Sequence, residues 1–193
     1  MPDESTSLSL LERVRDRNQE AWNRLVHLYS PLVDYWCRCW AVPPADVDDL
    51  RQEVFQSVAT GMESFRRDRP GDTFRGWLRV IARRKFLDLC RRKQRQPDAA
   101  GGSNAHLQLQ QVPDPEDVAA DPPEEVKGLH HRALELVRGQ FEDKTWQAFW
   151  RCAVDGLAPA EVGQAMDMTP AAVRKAKSRV LRRLKEELGE LLG

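Results

Sequence analysis

Apolar positions along this chain recur at helical spacing, and no stretch alternates with the period of two that a strand requires. From about Ser7 to Tyr29, the residues Leu11, Val14, Trp22, Leu25, Val26 and Tyr29 share one helical side, opened by a capping box at Ser9 to Glu12. Pro31 marks a break or a first-turn position, and Leu32 to Trp40 continues with Val33, Trp36 and Trp40 until Pro43 and Pro44 interrupt. Asp46 to Phe65 is the next helix, with Val47, Leu50, Val54, Phe55, Val58 and Met62 inward. Phe74 to about Arg95 is helical again, but its apolar residues spread around most of the circumference, which predicts burial on two sides. Residues Pro97 to about Pro123 hold five prolines, a Gly-Gly-Ser and few bulky aliphatics, the composition of a flexible linker. Two more helices follow, about Glu124 to Phe141 and Asp143 to Val154, with Leu134, Val137, Phe141, Trp146, Phe149, Trp150 and Val154 as their core. The pattern predicts an all-α fold: two small helical domains, residues 1–96 and 124–193, joined by a tether over 97–123.

The last elements have the clearest signals. A short helix after Ala158-Pro159 turns Val162, Ala165 and Met166 inward, and Asp167-Met168 makes a turn. A long helix then runs from Thr169 to Leu188, capped by the Thr169 hydroxyl with Pro170 in the first turn, where a missing N–H costs nothing. Steps of about 100° place Val173, Ala176, Val180, Leu181, Leu184 and Leu188 on one arc. Arg174, Lys175, Ser178, Arg179, Arg182 and Lys185 fall on the other. Lys177 lies inside the apolar arc, where its methylene stem is expected to snorkel. A short helix, a tight turn and a longer basic helix form a helix-turn-helix, whose second helix enters the major groove of DNA.

Charge sharpens the picture. Thirty basic and thirty acidic residues cancel overall, yet Arg66 to Arg95 carries twelve Lys/Arg against three Asp, and Pro97 to Glu125 has seven acids and no Lys or Arg. The aromatic residues Phe74, Trp77 and Phe86 inside that basic segment admit two readings: stacking platforms for unpaired bases, or core residues under a solvated face. Four scattered cysteines are expected as buried free thiols in a reducing cytosol. The N-terminus lacks the features of a signal peptide, and no run is long enough to span a membrane, so a cytoplasmic protein is expected. Asp46, Asp49 and Glu53 can share a helix face, but first-turn acids serve the helix dipole, and oxygen-ligand metal sites gather carboxylates from separate elements. The expectation is therefore no enzyme, no metal and no cofactor. His27, His130 and His131 have no partners at ligand spacing.

Three stretches carry a family resemblance: LLERVRDRNQEAWNRLVHLYSPLVDYWCR, DVDDLRQEVFQSV and FRGWLRVIARRKFLDLCRRK. In that order they resemble region 2 of the extracytoplasmic-function (ECF) group of bacterial sigma-70 factors. TWQAFWRCAVDGLAPAEVGQAMDMTPAAVRKAKSRVLRRL is similar to their region 4. The resemblance implies a transcription-initiation subunit that docks on core RNA polymerase, through the β′ clamp helices and the β flap, and binds promoter DNA. It implies a polymerase-docking face at Asp46, Asp48, Asp49, Gln52 and Glu53. It implies −10 contacts from Arg66, Arg67, Phe74, Arg75, Trp77, Arg83, Arg84, Arg91, Arg92 and Lys93. It implies −35 contacts from Thr169, Ala171, Arg174, Lys175, Ser178, Arg179 and Arg182, and it leaves room for an anti-sigma factor. The tether would thread polymerase channels or serve as a plain spacer. Two places depart from the family pattern: Arg84, where many relatives have Asn, and Ala176-Lys177, where many have Arg-Leu. A stand-alone helix-turn-helix regulator would explain the C-terminal half but not the block from Asp46 to Arg95. Without DNA, the two domains are expected to pack together.

Overall fold

The computed structural model describes residues 9–66, 68, 72–95 and 121–192. Most of the tether, the start of the first expected helix and Arg67 lie outside the described residues. Among the described residues there are eight α-helices, a 3-10 turn at Met62–Ser64 and no strand. In chain order they are α1 (Leu10–Arg15), α2 (Gln19–Cys39), α3 (Pro44–Gly61), α4 (Phe74–Gln94), α5 (Pro123–Arg138), α6 (Asp143–Ala153), α7 (Pro159–Met166) and α8 (Pro170–Leu192).

The capping box forms: Glu12 N donates to Ser9 Oγ at 3.2 Å, and Ser9 N donates to Glu12 Oε2 at 2.6 Å. The single helix expected up to Tyr29 is divided, however. Arg17 takes a left-handed φ of 60°, and the Asn18 side chain caps α2 by accepting from Ala21 N at 2.8 Å. The break expected at Pro31 is absent, and α2 runs through it. Helical stepping puts Pro31 on the side opposite the buried stripe of Leu25, Leu28, Tyr29, Leu32, Val33 and Trp36. An interior proline costs about 3 kcal/mol, less than is gained by burying six large side chains at about 1.5–3 kcal/mol each. Nearby, Ser30 Oγ donates to Val26 O.

The core is continuous from the first helical block into the second. Leu10, Tyr29, Phe74 and Phe86 belong to the same buried cluster as Leu129, Val137, Phe149, Leu188 and Leu191. Three further corrections concern exposure: Val154 and Leu181, expected inside, are 44% and 43% exposed, and Ala165 is exposed as well. Val154 caps the C-terminus of α6, where the chain leaves the helix, and Leu181 lies at the edge of its arc. Cys37, Cys90 and Cys152 are buried free thiols, but Cys39 is exposed. Burial pushes the Cys37 thiol up to about 11. Lys177 is half-buried beside the apolar arc.

Polar contacts join the halves at their seam. The Glu187 side chain on α8 is only 2% exposed. It accepts from Arg13 at 2.7 Å, Arg24 at 3.3 Å and Gln140 at 2.6 Å, and pairs with Arg183 at 3.4 Å. Tyr29 Oη donates to the Leu191 carbonyl, and burial raises that phenol above its ordinary range, so it remains a donor. Arg132 Nε donates to Leu28 O at 3.0 Å.

Replacing Glu187 by Ala leaves three cations without their common partner. Each is nearly 30% exposed and regains some water, so the cost falls below the usual range for a broken buried pair, at about 2 kcal/mol. Calorimetry should show the melting temperature lowered by roughly 4–8 °C; an unchanged value would mean the seam does not contribute to stability.

Candidate nucleic-acid interface

Three surfaces carry the charge and aromatic groups that the sequence singled out. The first is the outer side of α3. Pro44 supplies the first turn, and Leu50, Val54, Phe55 and Val58 bury the inner side, which leaves Asp48, Asp49 and Gln52 exposed. Asp46 and Glu53 are half-buried and already engaged: Lys93 pairs with Asp46, and Arg92 Nη1 lies 2.8 Å from Glu53. The hydrogen bond to Glu53 raises the Arg92 pKa. The structure thus ties two of the five expected docking residues to two of the expected DNA contacts. Asp48 pairs with Arg51 at 2.6 Å, and Arg51 in turn donates to both Asp34 oxygens at 2.8 and 3.0 Å. The Asp34 hydrogen bond is the main cause of the raised Arg51 pKa.

The second surface lies along α4. Thr73 caps this helix by accepting from Gly76 N at 3.0 Å. Phe74, Leu78, Ala82, Phe86 and Cys90 recur every fourth residue and are all buried. Phe74, expected as a contact, has no exposed surface. It packs beneath Trp77, with ring centroids 5.6 Å apart, and against Phe65 at 5.5 Å and Tyr29 at 5.0 Å. Phe86 is likewise core, stacked on Trp40 at 5.4 Å. Of the aromatic residues in the basic segment, Trp77 alone reaches the surface among the described residues.

Its indole separates two open cavities. One, of about 430 Å³, is lined by Phe65, Arg66, Asp68, Asp72 and Thr73. The other, of about 330 Å³, is lined by Gly61, Ile81, Arg84, Lys85 and Asp88. Gly61 lets the ring settle, since a Cβ there would lie 3.2 Å from Trp77 Cζ2. Arg84 and Arg91 are exposed, whereas Arg75 and Arg83 are half-buried. Arg91 pairs with Asp88 at 3.2 Å.

The third surface is the helix-turn-helix. Asp167 closes α7 in a left-handed conformation, φ 51°, and its carbonyl accepts from Lys144 at 3.4 Å. Thr169 Oγ1 accepts from Ala172 N at 3.2 Å, the cap that the sequence indicated. Val173 and Ala176 pack on Val162, Ala148 and Cys152, and this orients α8. Thr169, Ala171, Arg174, Lys175, Ser178, Arg179 and Arg182 are all exposed as one outward face. An open groove of about 320 Å³ between α5 and α6 has Trp146 and Trp150 in its lining and Arg138, Arg151 and Asp155 among its polar residues.

Sequence reasoning missed one site. The Asp121 side chain, 3% exposed, accepts from Trp36 Nε1 at 2.8 Å. Arg75 Nε is 3.4 Å away and Arg79 Nη1 3.5 Å. The Arg79 guanidinium lies over the Trp36 ring, 5.8 Å from its centroid. The i, i+4 spacing of Arg75 and Arg79 was a usable signal; Asp121, inside a segment read as tether, was not.

The chain is similar to known proteins over most of its length. The family "Sigma-70 region 2" matches residues 25–96. Over 198 residues the chain is 30% identical to ECF RNA polymerase sigma factor ShbA of Streptomyces griseus, spanning 95% of this chain and 96% of that protein. It is 28% identical over 193 residues to ECF RNA polymerase sigma-E factor of Escherichia coli, spanning 94% and 92% of the two chains. In a solved structure of CnrH in complex with the cytosolic domain of CnrY, one chain aligns at 22% identity, over 91% of this chain and 92% of that one, with a TM-score of 0.38.

The turn itself offers a direct test. A Cβ on Gly163 would lie 2.6 Å from the Met168 carbonyl, so Gly163→Ala must shift the backbone that sets the angle of α8. The variant should lose about 2 kcal/mol and melt roughly 4–8 °C lower; wild-type melting would mean that the turn yields freely.

Proposed function

Because this chain belongs to the ECF group of sigma-70 RNA polymerase sigma factors, we propose that its three surfaces divide the work of promoter-directed initiation. The protein is a sigma factor that docks on core polymerase and directs promoter recognition and opening. Sigma factors are not enzymes, and among the described residues no helix is long and apolar enough to cross a membrane.

The functional division follows the boundaries 1–96, 97–123 and 124–193. Exposed Asp48, Asp49 and Gln52 on α3 meet the β′ clamp helices, where acids opposite a basic surface set orientation. Asp46 and Glu53 support that face from behind through Lys93 and Arg92. The observation that carries the −10 assignment is the Trp77 ring shared by two open cavities, one edged by Arg66 and the other by Arg84 and Lys85. Taking a base out of its stack costs a few kcal/mol, and a cavity beside an aromatic wall offsets that cost. Arg66 edges one cavity and Arg84 the other, while Arg91 continues along the backbone path. Arg67 is assigned to this path by resemblance alone, and Phe74 acts only by holding Trp77 in place. The outward face of α8 reads the −35 duplex, and the tryptophan-lined groove between α5 and α6 receives the β flap. An anti-sigma factor is the class of partner that would have to cover Asp49 or this groove to block docking.

Purified protein mixed with bacterial core polymerase should co-elute with it. Asp49→Arg, which breaks none of the ion pairs described above, should weaken that association about tenfold or more through like-charge contact. Undiminished co-elution of the folded variant would remove α3 from the docking face. With the holoenzyme on −35 duplex, Arg174→Ala and Arg179→Ala should each lower the salt slope of binding by about 1; an unchanged slope would show that these side chains do not meet phosphate.

A further inference from the structure

The cavity of about 330 Å³ beside Trp77 is framed by α3 on one side and α4 on the other. Trp77 bridges the two helices over Gly61 at one end, where a Cβ would lie 3.2 Å from the ring. The Arg92–Glu53 pair, at 2.8 Å, bridges them again beyond the other end. Trp77, Ile81, Arg84, Lys85 and Asp88 follow at spacings of three and four, so they share one stripe of α4 and line the cavity together. Its volume is at the small end of the range of about 300–1,000 Å³ that holds organic ligands, which suits a single ring system.

The polar groups of the lining fall into two kinds. Ser57 and Ser64 donate their hydroxyl protons to the backbone, to Glu53 O at 3.0 Å and Gly61 O at 2.7 Å. Arg84, Lys85 and Asp88 remain to meet a ligand. Arg84 is exposed and forms no ion pair among the described residues, and its planar fork carries donors only. Asp88 gives Oδ1 to Arg91 at 3.2 Å, but a carboxylate has about four acceptor positions, so it can still accept. Arg84 and Asp88 lie one turn apart on α4, with Cβ atoms about 5–6 Å from each other. A pure donor thus stands beside a pure acceptor, next to an aromatic wall.

An aromatic wall takes any base, but this pair of side chains does not. Guanine presents two adjacent acceptors, O6 and N7, on one edge, and two donors, N1–H and the N2 amine, on the next. Arginine meets the first edge with two bonds, and a carboxylate meets the second. Adenine puts an amine where O6 stands, so a donor faces the guanidinium. Thymine offers the carboxylate a single N–H between two carbonyls. Cytosine offers it one amine and makes one bond fewer than guanine.

We propose that this cavity is a guanine-selective site for an unpaired base, with Arg84 on O6 and N7 and Asp88 on N1–H and the N2 amine. Trp77 supplies affinity for a base of any kind, and the charged pair selects which one. The inference rests on the assignment of α4 to −10 DNA and adds to it the identity of one base.

The test uses holoenzyme and labelled single-stranded oligothymidylate in which one central base is guanine, cytosine, adenine or thymine. Guanine should bind about tenfold more tightly than thymine or adenine, and about threefold more tightly than cytosine. Replacing it by 7-deazaguanine, which lacks the N7 acceptor, or by hypoxanthine, which lacks the N2 amine, should remove most of that lead. Arg84→Ala should abolish the preference and, with it, the penalty for 7-deazaguanine. Asp88→Ala should abolish the penalty for hypoxanthine while tightening the all-thymine strand, because an acid beside a polyanion has gone. Both residues are exposed, and thermal melts establish that each variant is folded.

A guanine strand bound no better than thymine would overturn the proposal, and so would a lead for cytosine. A hypoxanthine penalty that survives Asp88→Ala would overturn it as well. Arg84→Ala weakening all four strands equally is the mark of a phosphate contact and would also reject the site. The −10 assignment fails separately: Trp77→Ala with undiminished promoter opening by the holoenzyme would reject that reading. Opening lost in Trp77→Ala, with no guanine preference in the wild type, would reject the guanine site alone.

Discussion

A carboxylate at the seam of two helical blocks imposes the arrangement of the molecule. Glu187 is almost without water, so α1, α2, the turn after α5 and α8 must each deliver a donor to one point. Buried ion pairs contribute little net stability, because desolvation consumes most of the attraction. Their effect lies in register: an α8 slipped by one residue would leave the acid unpaired and three cations facing apolar neighbours. With Glu187 placed, Leu188 and Leu191 fall into the core and the Leu191 carbonyl reaches Tyr29. The N-terminal half of α8 then projects outward with its basic face uncovered.

Helix α4 works by a similar economy. Burial at every fourth position anchors it through Phe74, Leu78, Ala82, Phe86 and Cys90, and the positions between serve other purposes. Trp77 faces one side and Arg75 and Arg79 the other, while the last turn neutralises acids of α3 through Arg92 and Lys93. The acidic and basic sets that look like separate binding patches in the sequence are therefore partly satisfied by one another. What remains exposed, chiefly Asp49 and Gln52, is smaller and more specific than the charge count implies.

Much of this was legible beforehand. Helical periodicity, the Ser9 and Thr169 caps and the charge contrast between neighbouring segments are local signals, and local signals survive into the structure. The errors share a cause, which is that long-range packing overrode a local rule. Pro31 reads as a breaker until its position opposite the buried stripe is known. Phe74 and Trp77 are both aromatic residues in a basic segment, and only the neighbouring Tyr29 and Phe65 decide that one is core and the other surface. Glu187 looks like an ordinary solvated acid at the end of a basic helix, and Asp121 like part of a tether. Apart from Arg183, one turn from Glu187, their partners lie between 42 and 174 residues away in the chain, a separation that periodicity does not register.

The continuity of the core across both blocks bears on how the chain is made. Gln140, Arg183, Glu187 and Leu191 emerge from the ribosome after the helices they fasten, and domains fold in the order of synthesis. For that interval α1 to α4 precede their cover, with the Tyr29 phenol and the Arg13 guanidinium still waiting for the Leu191 carbonyl and Glu187. The first block therefore exists for a time without the cover that the second supplies. Whatever meets the first block during translation encounters Tyr29 and Arg13 uncovered.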